Sequence, residues 1–213
     1  MIPPKKSPFT EMLEQALGNY LKDFVNTSVP GHVLSFDPAT QLAEVQIGIL
    51  RTSLDGSTFA AAPIVEVPVQ FPGGAGGSVE FKIEPGDEGA ILFSQRCIDE
   101  WVNRGGVAPA VDLRRFSEND AKFIPGIRSK KGALPDFQNN GIRIRNRAGT
   151  QYIWLNDDGA LVINAAAVDI TGPVTLHDDV ETLAGIKNQG ISIGKDHQHS
   201  GVETGGGNTG GVA

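Results

Sequence analysis

Cysteine is nearly absent from this 213-residue chain. Cys97 stands alone, which excludes an intrachain disulfide and leaves stability to packing or to assembly. Aromatic residues make up only 7% against a hydrophobic total of 39%, while the 27 glycines exceed the usual share of about 7%. That balance favours turn-rich β structure over a large globular enzyme core. Positive charge is in deficit: the net charge is −7 and the pI is near 5.1. A phosphate-binding role needs Lys and Arg to displace counterions, so the charge argues against nucleic acid, and none is expected as a partner. No apolar run approaches the roughly 18 residues of a membrane span. The first residues lead into an amphipathic segment rather than a continuous apolar stretch, so the expectation is a cytoplasmically made chain without an export signal. Gly73–Gly77 is not followed by Lys-Ser/Thr and is no phosphate loop. His-Glu-x-x-His is missing, and the acids are scattered. The chain is expected not to be an enzyme.

What is present begins with a helix over residues 8–25. Phe9, Met12, Leu13, Ala16, Leu17, Tyr20, Leu21 and Phe24 recur at the three-to-four spacing of one face. Ser7 suits the cap and Pro8 the first helical position. Such a helix either docks on a partner or another subunit, or packs on its own domain. Residues 31–95 predict about five strands. Leu42, Val45, Ile47 and Ile49 form one run, and Val65, Val67, Val69 and Phe71 alternate, with Pro68 marking an edge or outward position. Pro85-Gly86-Asp87 turns into the apolar run Gly89–Phe93. A small barrel follows from this spacing, an OB-fold first among the choices.

From about residue 140 short apolar pairs recur: Ile142 with Ile144, Ile153 with Leu155, Leu161 with Ile163, Val168 with Ile170, Val174 with Leu176, and Ile191 with Ile193. Turn signals separate them, including Ala148-Gly149, Asp157-Asp158-Gly159 and Thr171-Gly172-Pro173. One copy cannot bury such a face and leaves strand edges open to other chains. Three chains wound about one axis bury the faces and close the edges, predicting a triple-stranded β-prism or β-helix. A single-chain solenoid is the competing architecture, but the repeat is short and irregular for one.

His197 and His199 follow, two apart, so on a strand both imidazoles share a face. Two histidines near a terminus are commonly just solvated. On a threefold axis, however, they give six imidazoles in two layers of three, an octahedral set suited to Fe(II) or Ni(II) rather than tetrahedral Zn(II). His32 and His177 stand alone and read as structural or exposed.

Four segments together resemble the central spike proteins of contractile-tail phage baseplates, in the group with an N-terminal OB-fold. They are Pro85–Phe93, Cys97-Ile-Asp99-Glu-Trp101, Arg115–Gly126 with its Arg, Asp120-Ala121 and Pro125-Gly126 pattern, and His197-x-His199 before a glycine-rich tail. The resemblance implies an all-β protein with one N-terminal helix, in which an OB-fold barrel precedes an intertwined trimeric β-helix ending in a metal-bound tip. The expected divisions are an N-terminal helix at 1–27, an OB-fold at 28–100, a connector at 101–139, a triple-stranded shaft at 140–193 and a tip at 194–213. It further implies one iron ion (Fe2+) per trimer, held by His197 and His199 of three chains. The implied partners are two further copies, hub and tail-tube proteins of the baseplate, and the host outer membrane, contacted transiently. The expected location is the baseplate tip of the virion, with synthesis in the host cytoplasm. Some relatives carry a lysozyme domain, and no segment here reads as one.

The expected mechanism is mechanical: sheath contraction drives a rigid tube forward behind a narrow tip. The chief competitor is a trimeric receptor-binding tail fibre or adhesin, which should carry a broad C-terminal recognition domain where this chain tapers into glycines. A polysaccharide depolymerase and an OB-fold nucleic-acid binder are weaker readings, the latter opposed by the acidic balance.

Overall fold

The computed structural model describes residues 7–189 and 191–193. These divide into two compact units, the first running to Asn139 and taking in Arg147–Gly149, the second comprising Asn140–Asn146 and the chain from Thr150 onward.

The first unit opens with helix α1, Pro8–Phe24. The Ser7 hydroxyl accepts the Thr10 N–H at 3.2 Å, and Pro8 fills a first-turn position where no donor is required. At the other end the Val25 N–H donates to the Leu21 carbonyl at 3.3 Å. The β structure then runs through β1 (Ser28–Asp37), β2 (Leu42–Ile47), a small hairpin of β3 (Arg51–Thr52) and β4 (Thr58–Phe59), and β5 (Ile64–Pro68). A second small hairpin joins β6 (Gly73–Gly74) to β7 (Gly77–Ser78), and β8 spans Glu88–Phe93. After it come a short helix α2 (Asp99–Arg104), a 3-10 turn at Glu118–Asp120, and β9 (Ala121–Pro125).

Five of these strands form one antiparallel sheet in the order β5-β2-β1-β8-β9. The sheet curls until its outer strands meet. Val69, just past β5, bridges in parallel to Phe123 of β9, and the Gln70 N–H donates to the Phe123 carbonyl at 2.9 Å. Alternate residues point inward, so Val33, Val45, Val67, Ile91 and Phe123 are fully buried at the centre of the core. The curl demands close approach. A Cβ on Gly89 would lie 2.5 Å from Phe123 Cζ, and one on Gly31 would lie 2.5 Å from Ile91 Cδ1.

Two details differ from the sequence reading. The fifth strand of the sheet is β9, which lies inside the segment read as a connector, 101–139. Its inward residues Ala121 and Phe123 are too few to show a period of two, and a long irregular stretch separates them from β8. The alternation predicted from Val65 to Phe71 also breaks. Glu66 adopts φ +56°, β5 shifts register against β2 between Ala43 and Val45, and Val65 turns outward while Ile64 enters the core. Pro68 sits at the end of β5, where a missing N–H costs no central ladder bond.

The second unit contains a three-stranded antiparallel meander of β10 (Gly141–Arg145), β11 (Tyr152–Asn156) and β12 (Leu161–Asn164). A further two-stranded pair joins β13 (Lys187–Asn188) to β14 (Ile191–Ser192). The turns of the meander are short and well bonded. Asn146 Oδ1 accepts the Thr150 N–H at 3.0 Å, Asn156 Oδ1 accepts the Ala160 N–H at 2.9 Å, and Gly159 takes φ +84°.

Candidate interaction surfaces

Strand register builds the most prominent surface. Leu155 of β11 lies between Ile142 and Leu161, and Ile153 lies between Ile144 and Ile163. Six aliphatic side chains therefore form two rows of three on one face, and each is 48–69% exposed. Full burial of one such side chain is worth roughly 1.5–3 kcal/mol, so leaving six of them half-exposed forgoes on the order of 5–10 kcal/mol per chain. The opposite face is occupied by aromatic and polar side chains that contact one another. The Arg143 guanidinium sits 3.8 Å from the Tyr152 ring centroid and 5.8 Å from that of Trp154, and the Trp154 indole N–H donates to the Asn140 carbonyl at 3.2 Å. Beyond the meander Val168, Ile170, Val174 and Leu176 are exposed as well. No strand is described between Asn164 and Lys187.

The apolar face of α1 is equally bare. Phe9, Met12, Leu13, Leu17, Tyr20 and Leu21 are 46–66% exposed, and no strand packs extensively against the helix. The reading in which this helix packs on its own domain thus gives way to one in which its face is open.

A third surface is a groove of about 750 Å³ in the first unit. Its floor is aromatic: Phe71 lies 6.2 Å from Phe36 and 5.2 Å from Phe81, centroid to centroid. Gln41, Gln70, Glu80 and Lys82 give it polar edges.

Among the described residues, one cluster has ligand atoms close enough to suggest a cation. Cys97, Asp99 and Asp120 bring them within 4.8 Å of one another. Their surroundings argue against that use, because an arginine already takes the carboxylates. Asp120, fully buried, accepts Arg114 Nε at 2.9 Å on one oxygen, and Arg114 Nη2 at 2.9 Å and the Ile98 N–H at 3.0 Å on the other. Arg114 Nη2 also reaches Asp99 at 2.6 Å. The guanidinium, followed by a hydrogen bond from Cys97, holds the Asp99 carboxyl below the usual carboxylate range, and the two carboxylates raise Arg114 further above its own. This knot ties the start of α2 and the loop before it to the strand that completes the sheet. Asp120 and Arg115 belong to the pattern that carries the family resemblance, and the residue that pairs with Asp120 is the neighbouring Arg114. From sequence alone, two adjacent arginines offer no means of choosing between them.

His32 lies on β1 between Gln46 and Glu88 and is half-buried, and His177 is exposed. His197 and His199, the predicted metal ligands, lie outside the described residues, as does the predicted tip at 194–213.

With this geometry established, comparison with known proteins is informative for one part of the chain. Residues 29–126 match the family model described as the N-terminal domain of phage protein Gp138. No curated protein matches the chain. The matched span contains the five strands of the curled sheet almost to the residue, and it ends just after β9 rather than near residue 100. The first unit is thus similar to a phage-protein domain, and the chain is mostly β with a curled half-barrel sheet.

Proposed function

We propose that this chain is a structural component of a contractile phage tail or related injection machine, the central spike at the baseplate tip. In this reading it acts as a homotrimer and breaches the host outer membrane mechanically, with no covalent step. The observation that carries it is the bare aliphatic face formed by Ile142, Ile144, Ile153, Leu155, Leu161 and Ile163 on a phage-type chain. Two further copies would cover that face, and the exposed apolar pairs from Val168 to Leu176 would find strand partners in them. Separating entwined chains is slow, so the resulting shaft would be durable kinetically.

Strand order supports an OB-fold collar. Numbered within the sheet alone, the strands follow one another as 1-2-3-5-4, with the third and fifth meeting in parallel through Val69 and Phe123. The proposed shaft is 140–193 and the proposed tip 194–213. There His197 and His199 of three chains would hold one Fe2+ through six imidazoles. Such a clamp would oppose fraying where the chains end. Hub and tail-tube proteins are the proposed attachments at the other end.

The test is the mass in solution together with iron, nickel and zinc per chain, measured on protein never exposed to acid or chelator. A mass of three chains with one iron per three supports the spike and its tip together. A mass of one chain refutes the spike. A metal-free trimer removes the tip assignment alone. The aromatic-floored groove favours one alternative, a trimeric receptor-binding fibre or adhesin. Binding of purified host surface glycan, lost on Phe71→Ala, would decide for it.

A further inference from the structure

We infer that α1 is a self-association element, in which three copies pack their apolar faces together as a parallel three-helix bundle at the N-terminal end of the assembly. This rests on the homotrimer proposed above, and it adds a second interface, independent of the aliphatic face of the β10–β12 meander.

The occupant follows from the shape of the apolar face. Phe9, Leu13, Ala16 and Tyr20 advance by four, three and four residues, the alternation that keeps a seam on one line when helices supercoil. Met12 widens the seam on one side, and Leu17 and Leu21 on the other. At about 100° per residue the apolar face then spans about 180° of the helix. A two-helix contact covers a narrower stripe, whereas two neighbours flanking each helix cover half its circumference.

The other candidate surfaces fit less well. The core of the curled sheet is complete without any residue of α1. A membrane interface calls for several Lys or Arg along the polar face, whereas α1 contains Glu11, Glu14 and a single lysine, Lys22. Most helical stability in proteins comes from packing an amphipathic face, so a helix with its apolar face open calls for a partner. Only Val25, Asn26 and Thr27 separate α1 from β1. In a rotationally symmetric trimer, three helices on such short tethers leave their barrels at one level and in one direction, hence a parallel arrangement. Each exposed side chain of the stripe carries roughly 80–100 Å² of apolar surface, so three helices offer about 1,500–1,800 Å² shared among three helix pairs, an amount that supplements the burial along the proposed shaft.

The test is disulfide trapping in the full chain, with Cys97→Ser removing the native thiol. Ala16→Cys places a thiol on the seam, and Glu11→Cys places one on the opposite face. Solution mass is measured on both variants before oxidation. A mass of three chains, with cross-linked dimers from Ala16→Cys and none from Glu11→Cys, is the expected result. A mass of three chains without Ala16→Cys cross-links, or with equal cross-linking of both variants, overturns the bundle and leaves the trimeric spike standing. A mass of one chain overturns both.

Discussion

Replacing Asp120 with Asn tests whether the Arg114 knot holds the fifth strand in place. Asp120 is fully buried and accepts three hydrogen bonds, two from Arg114 and one from the Ile98 N–H. Asparagine preserves its size but turns one acceptor oxygen into a donor NH2 facing a guanidinium. Breaking a buried ion pair by removing one partner costs about 3–5 kcal/mol. Arg114 is 24% exposed along its side chain and keeps Asp99 at 2.6 Å, which places this case lower. We expect a loss of about 2–3 kcal/mol, or roughly a 30- to 150-fold rise in the opening equilibrium. Hydrogen exchange on the full chain reads this locally, through the ladder amides of β8 and β9, without requiring the whole assembly to unfold in one step. Asp112→Asn is the control. Its Oδ1 accepts the Arg114 backbone N–H at 2.7 Å, a bond that asparagine retains, and its ion contact with the guanidinium is 3.7 Å long and half-exposed, so about 0.5 kcal/mol or less is expected. Wild-type protection in Asp120→Asn, or an equal loss in Asp112→Asn, would refute the assignment of the knot as the anchor of β9.

Three further outcomes are expected. Gly89→Ala forces a Cβ against Phe123 Cζ and the Ile124 carbonyl, so it should destabilise the first unit by about 1–3 kcal/mol, while Gly74→Ala, with open space around it, should be close to neutral in the same thermal melt. Acid should weaken the fold through two carboxyls with depressed folded pKa values, Glu88 by the Ser129 N–H and hydroxyl and Asp99 by Arg114. Their contribution is present above the ordinary carboxylate range of about pH 4 and lost as pH falls through the lower folded values, so Glu88→Gln should flatten the acid limb of a stability–pH curve. Ile153→Lys puts a charge at the centre of the aliphatic face, between Ile144 and Ile163, and should lower the thermal midpoint of the trimer by several degrees, whereas an unchanged midpoint would show that this face is not an interface.

The sequence by itself determined the elements whose signal is local. Ser7, Pro8 and the three-to-four spacing of Phe9 to Leu21 set the limits of α1 to within a residue. The pairs Ile142/Ile144, Ile153/Leu155 and Leu161/Ile163, divided by Ala148-Gly149 and Asp157-Asp158-Gly159, announced three strands and the face they share. Tertiary structure decided everything that depends on distant residues meeting. β9 enters the sheet because Phe123 fills the core between Ile91 and the end of β5, a fit that five residues cannot advertise. Glu66 reverses the inward face of β5 by one backbone angle, which no alternation of side chains encodes. Arg114 rather than Arg115 meets Asp120 because a folded loop, not sequence spacing, aims the guanidinium at a buried carboxylate. Periodicity reports which residues avoid water; only the three-dimensional path of the chain decides what each one meets when it does.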